Sequence, residues 1–172
     1  AGEVVDRPYS VVKEFVENSI DAGAKHISVT IERGGKDLIC VSDDGGGIEA
    51  SELPSAFLPH ATSKIAKAED LDLIRTLGFR GEALASIASG AGTEITAENL
   101  FYNTPVRAKF MRTDKGEEGE ITNFVQRFVL GNPDISFTYT IDGKLALQSF
   151  GGGLEEATAA VYGASVISQC YQ

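Results

Sequence analysis

Hydrophobic and polar residues repeat along the chain with two different periods. From Val11 to Ile20, apolar residues recur every three or four positions. This pattern predicts an amphipathic helix that begins after Ser10, a favoured N-cap residue, and ends at Gly23. The polar side of the helix carries Glu14, Glu17, Asn18 and Asp21.

Alternation with a period of two follows this helix. Residues 27–31 alternate between apolar and polar side chains, and residues 38–41 form an apolar run after Gly34–Gly35. The pattern predicts an antiparallel hairpin that brings Asp43 to the end of a sheet. A second hairpin is predicted over residues 135–147 by the same alternation.

The rest of the chain contains further periodic segments and one clear interruption. Periodicity breaks over residues 101–115, so we predict a first domain over residues 1–107 and part of a second domain over residues 108–172. The remaining predicted elements are helices at 53–58, 71–77, 82–88, 121–131 and 154–162 and a strand at 93–98.

Composition narrows the classes of function. The chain has 172 residues, 42% of them hydrophobic, and a formal net charge of -10, which opposes a large basic surface for nucleic acid or an anionic membrane. Cys40 and Cys170 lack the spacing of a zinc site or a disulfide framework. No signal peptide or membrane span is recognised, so a soluble, cytoplasmic protein is expected. A basic strip of Arg107, Lys109 and Arg112 leaves a DNA-contacting role open.

The first candidate chemistry lies on the predicted helix. Glu14 and Asn18 are one turn apart and point the same way, and Ala22 continues their line with a side chain too small to block a ligand. A carboxylate can accept a proton from attacking water, and an amide oxygen can bind magnesium. The alternative is an ordinary solvated helix face.

The second candidate is the loop that follows the apolar strand. Asp43 begins a D-x-G-x-G pattern with Gly45 and Gly47, and Ile48 follows. A carboxylate accepts a hydrogen bond from the amino group of adenine, whereas the carbonyl oxygen of guanine would repel it. A plain turn is one alternative. A dinucleotide fingerprint ending at Ala50 is another, but two adjacent carboxylates oppose a pyrophosphate.

The third candidate is the segment Gly78–Glu82, in which two glycines frame a turn before a predicted helix. Free backbone amides at a helix N-terminus and the helix dipole can hold phosphate oxygens. The alternative is a common helix-entry turn.

These candidates and two further segments carry a resemblance to a known family. Together they resemble the ATPase region of MutL mismatch-repair proteins, which belongs to the gyrase, Hsp90, histidine kinase and MutL ATPase group. The likeness covers most of residues 1–130. The segments that carry it are Val12–Ala24, the DDGGGI loop, His60–Ile65, GFRGEALASI and Leu100–Pro105.

The resemblance implies a fold and a set of roles. The fold would be α+β, a two-layer sandwich of helices on a mixed, largely antiparallel sheet of the Bergerat type, with an ATP-binding domain at 1–107 and part of a transducer-like domain at 108–172. Glu14 would be the general base, Asn18 the magnesium ligand and Asp43 the adenine acceptor, with ATP and Mg²⁺ as cofactors. The other residues expected at the nucleotide are Ala22, Gly45, Gly47 and Ile48, the lid residues Thr62, Ser63, Lys64, Gly78, Phe79, Arg80, Gly81, Glu82, Ala83 and Leu84, and Thr93.

The resemblance also implies partners. ATP-driven self-association is expected, together with contacts to other mismatch-repair proteins, contacts to DNA mainly through parts outside this chain, and no membrane, in the bacterial cytosol or nucleoid. Three departures from the family pattern are visible. Asp44 stands where the family usually has asparagine, and the family normally has several dozen more residues between Ser89 and Gly92. The second-domain lysine expected at the γ-phosphate has no counterpart. A nucleotide-gated binding module without hydrolysis therefore remains the alternative.

Overall fold

The computed structural model describes residues 7–46, 74–79, 81–87, 92–100 and 108–164. The first element is helix α1, Pro8–Asp21. Proline suits the first helical position because its fixed φ fits a helix and its missing N–H is not needed there. The predicted helix is confirmed, but it begins at Pro8, so Ser10 lies inside it and is not the N-cap.

A seven-stranded sheet forms the second layer of the fold. All neighbouring strands are antiparallel except the first and sixth strands along the chain, which are parallel. The order across the sheet is β3-β4-β5-β2-β1-β6-β7, and the prediction of a mixed, largely antiparallel sheet is therefore confirmed. The strands are β1 His26–Glu32, β2 Leu38–Asp43, β3 Ile74–Phe79, β4 Gly81–Ile87, β5 Thr93–Glu98, β6 Ser136–Ile141 and β7 Lys144–Phe150.

Two more α-helices and a short 3-10 helix, Arg33–Gly35, belong to the described part of the fold. The α-helices are α2, Asp114–Gly131, and α3, Leu154–Tyr162. Helix α3 is as predicted, whereas α2 begins seven residues before the predicted start at residue 121. Thr113 caps α2 by accepting a hydrogen bond from the N–H of Gly116 at 3.2 Å. No helix in these described ranges has the length and apolar character that a bilayer crossing requires.

The predicted helices at 71–77 and 82–88 are wrong, because residues 74–77 lie in strand β3 and residues 82–87 in strand β4. Short apolar runs do not distinguish a strand from a buried helix, and here the ladder between β4 and β5 decides. The helix predicted at 53–58 lies outside the described residues.

The core lies between the sheet and the helices. Buried and less buried residues alternate along β1, β2, β5 and β6, so one face of each of these strands is buried. Aromatic rings pack within and between the layers: the centroids of Tyr9 of α1 and Phe124 of α2 are 5.5 Å apart, and those of Phe128 of α2 and Phe137 of β6 are 5.9 Å apart. The largest fully buried side chains are Tyr139, Phe15, Phe137, Ile27, Ile31, Ile39 and Ile121.

The elements after residue 108 share this sheet and core. Strand β6 pairs with β1 along its whole length, from His26 opposite Ser136 to Ile31 opposite Ile141. A parallel neighbour needs a crossover connection, and α2 provides one. The boundary predicted between residues 107 and 108 therefore does not separate a second domain within the described residues. The break in periodicity over 101–115 precedes a helix of the same unit.

Candidate functional site

Helix α1 presents the polar residues that the sequence singles out. Glu14, Asn18 and Ala22 follow one another at intervals of four and therefore lie along one line of the helix. Glu14 and Asn18 are half-buried, and Ala22 is the C-cap. Within the described residues, Nδ2 of Asn18 is buried without a hydrogen-bond partner. The line thus holds a carboxylate and an amide that still needs an acceptor.

Asp43 lies at the end of β2 with both carboxylate oxygens engaged. Its Oδ2 accepts a hydrogen bond from Oγ of Ser19 at 2.7 Å, and its Oδ1 accepts one from the N–H of Gly45 at 2.9 Å. These bonds fix the plane of the carboxylate. Each oxygen still has acceptor capacity, so a further donor can bind without displacing either contact.

Ser19 is the site residue that sequence reasoning missed. It is 2% exposed and lies on the buried side of α1, where its Oγ also lies 3.1 Å from the carbonyl oxygen of Phe15. A hydroxyl on the apolar side of a helix needs a partner. That requirement was the available signal in the sequence, but it did not identify Asp43 as the partner.

Strand β5 brings Thr93 to the same place. Thr93 is paired directly opposite Asp43 in the ladder and is 3% exposed. In the described part of the chain, its Oγ1 is buried and has no hydrogen-bond partner. Gly92, directly before β5, has a φ of +111°, and a Cβ at this position would collide with the carbonyl oxygen of Asp43. Only glycine allows β5 to start this close to β2.

The glycine loop packs against the end of α1. A Cβ on Gly45 would lie 2.9 Å from both the Cβ and the carbonyl oxygen of Ala22. Gly46 donates its N–H to that same carbonyl at 2.9 Å, and Gly92 donates its N–H to the carbonyl of Gly45 at 3.0 Å. The small side chain of Ala22 therefore makes room for the loop as well as lying on the line of Glu14 and Asn18.

Two buried polar atoms in this region have no hydrogen-bond partner among the described residues. In native proteins nearly all such atoms are paired with protein or ordered water. Nδ2 of Asn18 needs an acceptor, whereas Oγ1 of Thr93 can either donate or accept. A polar ligand, or water held beside one, satisfies both.

The neighbouring carboxylate of Asp44 has a different environment. Burial alone would raise the pKa of Asp44, but hydrogen bonds from the ring of His26 and from the backbone N–H groups of His26 and Lys25 lower it to about 2. Asp44 is therefore ionised at neutral pH. Its bonds face the start of β1, whereas those of Asp43 face α1 and the glycine loop.

Some of the predicted site residues lie outside the described residues. They are Gly47, Ile48, Thr62, Ser63, Lys64 and Arg80. Other site residues were expected in a turn that opens a helix, but the structure places them in strands. These are Gly78 and Phe79, which end β3, and Gly81, Glu82, Ala83 and Leu84, which begin β4.

The ladder explains why this segment differs from prediction. It pairs Gly78 with Glu82 and Phe79 with Gly81, so their backbone groups belong to a hairpin and not to a helix N-terminus. Ile87 is the residue of β4 that pairs with Thr93. Gly81 therefore lies at the other end of β4, about 20 Å away along the strand at the usual rise per residue. The structure does not bring it together with Asp43.

The side chains at this site suit a magnesium ion only if the ion keeps several of its water ligands. The described residues contain no group of three or more His, Cys, Asp or Glu side chains that could hold a metal. Magnesium, however, commonly keeps several waters and takes one or two protein oxygens beside phosphate. The amide oxygen of Asn18 fits that requirement, with Glu14 one turn away.

Comparison with known proteins identifies the family. A sequence profile described as "Histidine kinase-, DNA gyrase B-, and HSP90-like ATPase" matches residues 7–126. This range is well over half of the chain and includes Glu14, Asn18, Asp43 and Thr93. The chain belongs to this ATPase family.

Curated relatives narrow the likeness within the ATPase family. "DNA mismatch repair protein MutL" of Clostridium tetani (strain Massachusetts / E88) is 45% identical over 198 residues, which covers 95% of this chain and 32% of the relative. The protein of the same name from Clostridium botulinum (strain Kyoto / Type A2) is 43% identical over 201 residues, covering 96% and 30%. The chain spans about a third of the length of these relatives. The resemblance to MutL is confirmed.

Solved structures agree with this membership of the ATPase family. The structure described as "Aquifex aeolicus MutL ATPase domain complexed with ADP" has a TM-score of 0.67 and 28% identity, and the match covers 92% of this chain and 70% of that chain. A second, the "N terminal domain of a DNA repair protein", has a TM-score of 0.67 and 27% identity, with coverage of 95% and 59%. Because they cover 92% and 95% of this chain, both matches extend past residue 107. This agrees with a single sheet that includes β6 and β7.

Proposed function

We propose that this chain is the ATP-binding and slowly hydrolysing switch domain of a MutL-like mismatch-repair protein. The observation that carries the proposal is the carboxylate of Asp43, which Ser19 and Gly45 orient beside the unpaired hydroxyl of Thr93. Membership of the ATPase family and the ADP complex of a similar domain support it.

Asp43 selects the base by hydrogen-bond polarity. Its carboxylate accepts from the amino group of adenine and opposes the carbonyl oxygen that guanine has at that position. Oγ1 of Thr93 supplies a second polar contact on the same side, directly or through water. A site built to pair with a donor rejects the analogue that lacks it, because the buried acceptor is then left unpaired.

Helix α1 serves the other end of the nucleotide. Glu14 accepts a proton from the water that attacks the γ-phosphate. Asn18 would hold Mg²⁺ through its amide oxygen, and the bound ion would supply positive charge that offsets the charge of the phosphates. Among the described residues, no hydrogen bond or ion pair is found at the carboxylate of Glu14.

The wider role follows from the relatives' names and stays part of this proposal. ATP binding favours a closed, self-associated form through its higher affinity for that form, and Thr62, Ser63 and Lys64 cover the phosphates in it. Other mismatch-repair proteins are the expected partners, in the bacterial cytosol. DNA contacts come mainly from parts outside this chain.

Two substitutions test the assignment of roles. Glu14→Ala should retain ATP binding and lose phosphate release, whereas Asp43→Ala should lose binding itself. Glu17→Ala is the matched control, because Glu17 lies on the same helix but pairs with Lys13 at 3.2 Å, and it should change neither property.

The outcomes separate the proposal from its alternative. Equal affinity for ATP and GTP in the wild-type protein removes Asp43 from its role, and unchanged turnover in Glu14→Ala removes Glu14. Wild-type protein that binds ATP but releases no phosphate at high protein concentration is a nucleotide-gated binding module without hydrolysis.

A further inference from the structure

A set of hydrogen bonds joins the loop after β2 to the start of β1. Oδ1 of Asp44 accepts from the backbone N–H of Lys25 at 2.7 Å and of His26 at 2.8 Å. Its Oδ2 lies 2.6 Å from Nδ1 of His26, and its own N–H donates to the carbonyl of His26 at 3.3 Å. We call these contacts among Lys25, His26 and Asp44 the Asp44 latch.

Among the described residues, the latch is one of four attachments of this loop, and one of the others is the bond from the N–H of Gly92 to the carbonyl of Gly45. On one side of it, Asp43 is bonded to Ser19 of α1. On the other side, Gly46 donates to the carbonyl of Ala22. Asp44 is the residue between them that attaches the loop to β1. Two consecutive aspartates thus have separate partners, which keeps the carboxylate of Asp43 available to a ligand.

The negative charge of Asp44 strengthens the hydrogen bonds of the latch, and none of these bonds involves the carboxylate of Asp43. Its acceptor is an ionised carboxylate, and hydrogen bonds to an ionised group are shorter and about twice as strong as neutral ones. The groups that face it are the His26 ring and the two N–H dipoles. The side chains of His26 and Asp44 are 72% and 42% exposed, so water screens the pair and its contribution to global stability is small. The main effect of the latch is therefore to hold the loop in position.

We infer that Asp44 is a positioning residue, which holds the loop so that Asp43 is placed for adenine without itself touching the nucleotide. This inference rests on the proposed function. It adds a residue whose substitution changes nucleotide affinity but not the chemistry of hydrolysis.

The expected effect follows from the population of the correctly placed loop. Apparent affinity falls in proportion to the fraction of molecules that are competent to bind, so a loop that is correctly placed about a tenth of the time raises Kd about tenfold. Asp44→Ala removes every side-chain bond of the latch. Asp44→Asn keeps an oxygen for the two N–H groups and loses the charge, so its Kd should rise only about threefold.

The first measurement needs no nucleotide. Amide hydrogen exchange of the free protein should be about tenfold faster in Asp44→Ala at His26 and Gly46, because their N–H groups lose an acceptor or the placement that provides one. Exchange at Val29, further along β1, should be unchanged. Unchanged exchange at His26 and Gly46 overturns the latch, whether or not the protein binds ATP.

The second measurement titrates the same variants with a non-hydrolysable ATP analogue and Mg²⁺, and follows phosphate release at saturating ATP. Kd should rise in the order wild type, Asp44→Asn, Asp44→Ala, while turnover at saturation stays at the wild-type value. Equal Kd in all three, or a fall in saturated turnover with unchanged Kd, overturns the positioning role.

Asp142→Ala is the matched control. Asp142 is also an exposed turn aspartate whose Oδ1 accepts a backbone N–H, that of Arg33 at 2.9 Å, but it lies in the β6–β7 turn. Its φ of 48 makes alanine unfavourable there, so the variant loses at least as much stability as Asp44→Ala. Its Kd should nevertheless match wild type. A comparable rise in Kd would show that lost stability alone explains Asp44→Ala. Wild-type protein that does not bind the analogue refutes the proposed function, and the exchange result then decides the latch by itself.

Discussion

Glu117 offers the sharpest test of how α1 is held in place. This glutamate of α2 is 0% exposed. Its Oε2 lies 3.0 Å from Nη2 of Arg7, just before α1, and its Oε1 accepts from the N–H of Arg112 at 2.7 Å. Arg7 also pairs with Glu120. A buried carboxylate thus connects the helix that carries Glu14 to α2.

The cost of removing Glu117 follows from this geometry. Deleting one partner of a buried ion pair costs about 3–5 kcal/mol, because the other charge is left uncompensated. Arg7 keeps Glu120, and its side chain is 27% exposed, so Glu117→Ala should lower the free energy of unfolding by about 3 kcal/mol, the lower end of that range. Glu117→Gln keeps the shape and an acceptor for Arg112, and should cost about 1–2 kcal/mol.

Urea unfolding followed by far-ultraviolet circular dichroism measures these differences in nucleotide-free protein. Glu118→Ala is the control on the same helix, since Glu118 pairs with Lys115, whose side chain is 86% exposed. Such a pair contributes less than about 0.5 kcal/mol. If Glu117→Ala and Glu118→Ala unfold at the same urea concentration with the same slope, the buried pair does not stabilise the fold and the reasoning is refuted.

Three further predictions concern the nucleotide site. Ser19→Ala removes one of the bonds that orient Asp43, so ATP affinity should fall about fivefold, equivalent to about 1 kcal/mol; unchanged affinity by calorimetry would exclude that role. Gly92→Ala forces a Cβ against the carbonyl of Asp43 and should abolish ATP binding, whereas Gly119→Ala, on α2 with nothing within 4 Å, should bind normally and gain up to about 1 kcal/mol of stability. The lowered pKa of Asp44 stabilises the fold above its ordinary value of 3.8, and this contribution is lost as the pH falls towards about 2. After allowance for 42% exposure it amounts to at most about 1 kcal/mol, so unfolding curves of wild type and Asp44→Ala should converge as the pH falls from 5 to 2, and a constant gap would contradict the assignment.

The sequence predicts most of the described fold because its periodic segments are long. Helix α1, both clear hairpins, helix α3 and residues 121–131 of α2 follow from apolar spacing, and Asp43 lies at a strand end as predicted. The first seven residues of α2 contain no apolar side chain, so the spacing does not predict them. The segment around Gly81 was misread because its local pattern suits either a helix or a strand. The partners across the sheet, distant in sequence, decide between the two.

Candidate site residues can be named from the sequence only where a motif fixes their spacing. Glu14, Asn18 and Asp43 belong to such motifs. Ser19 does not, since its role depends on a contact between a helix and a strand end that no local pattern encodes. The unity of residues 108–164 with the first sheet was likewise hidden, because strand partners are not visible in a linear pattern.

The parallel pairing of β1 with β6 has a consequence for how the chain is made. Strand β1 emerges early from the ribosome, but the neighbour that shields its second edge is synthesised only after α2 is complete. Until then one edge of β1, a strand with one apolar face, exposes unpaired N–H and C=O groups with which another chain can form hydrogen bonds. Nascent chains whose synthesis stops at residue 131 should therefore stay bound to chaperones or aggregate. Release from the chaperones should require synthesis of the β6–β7 hairpin.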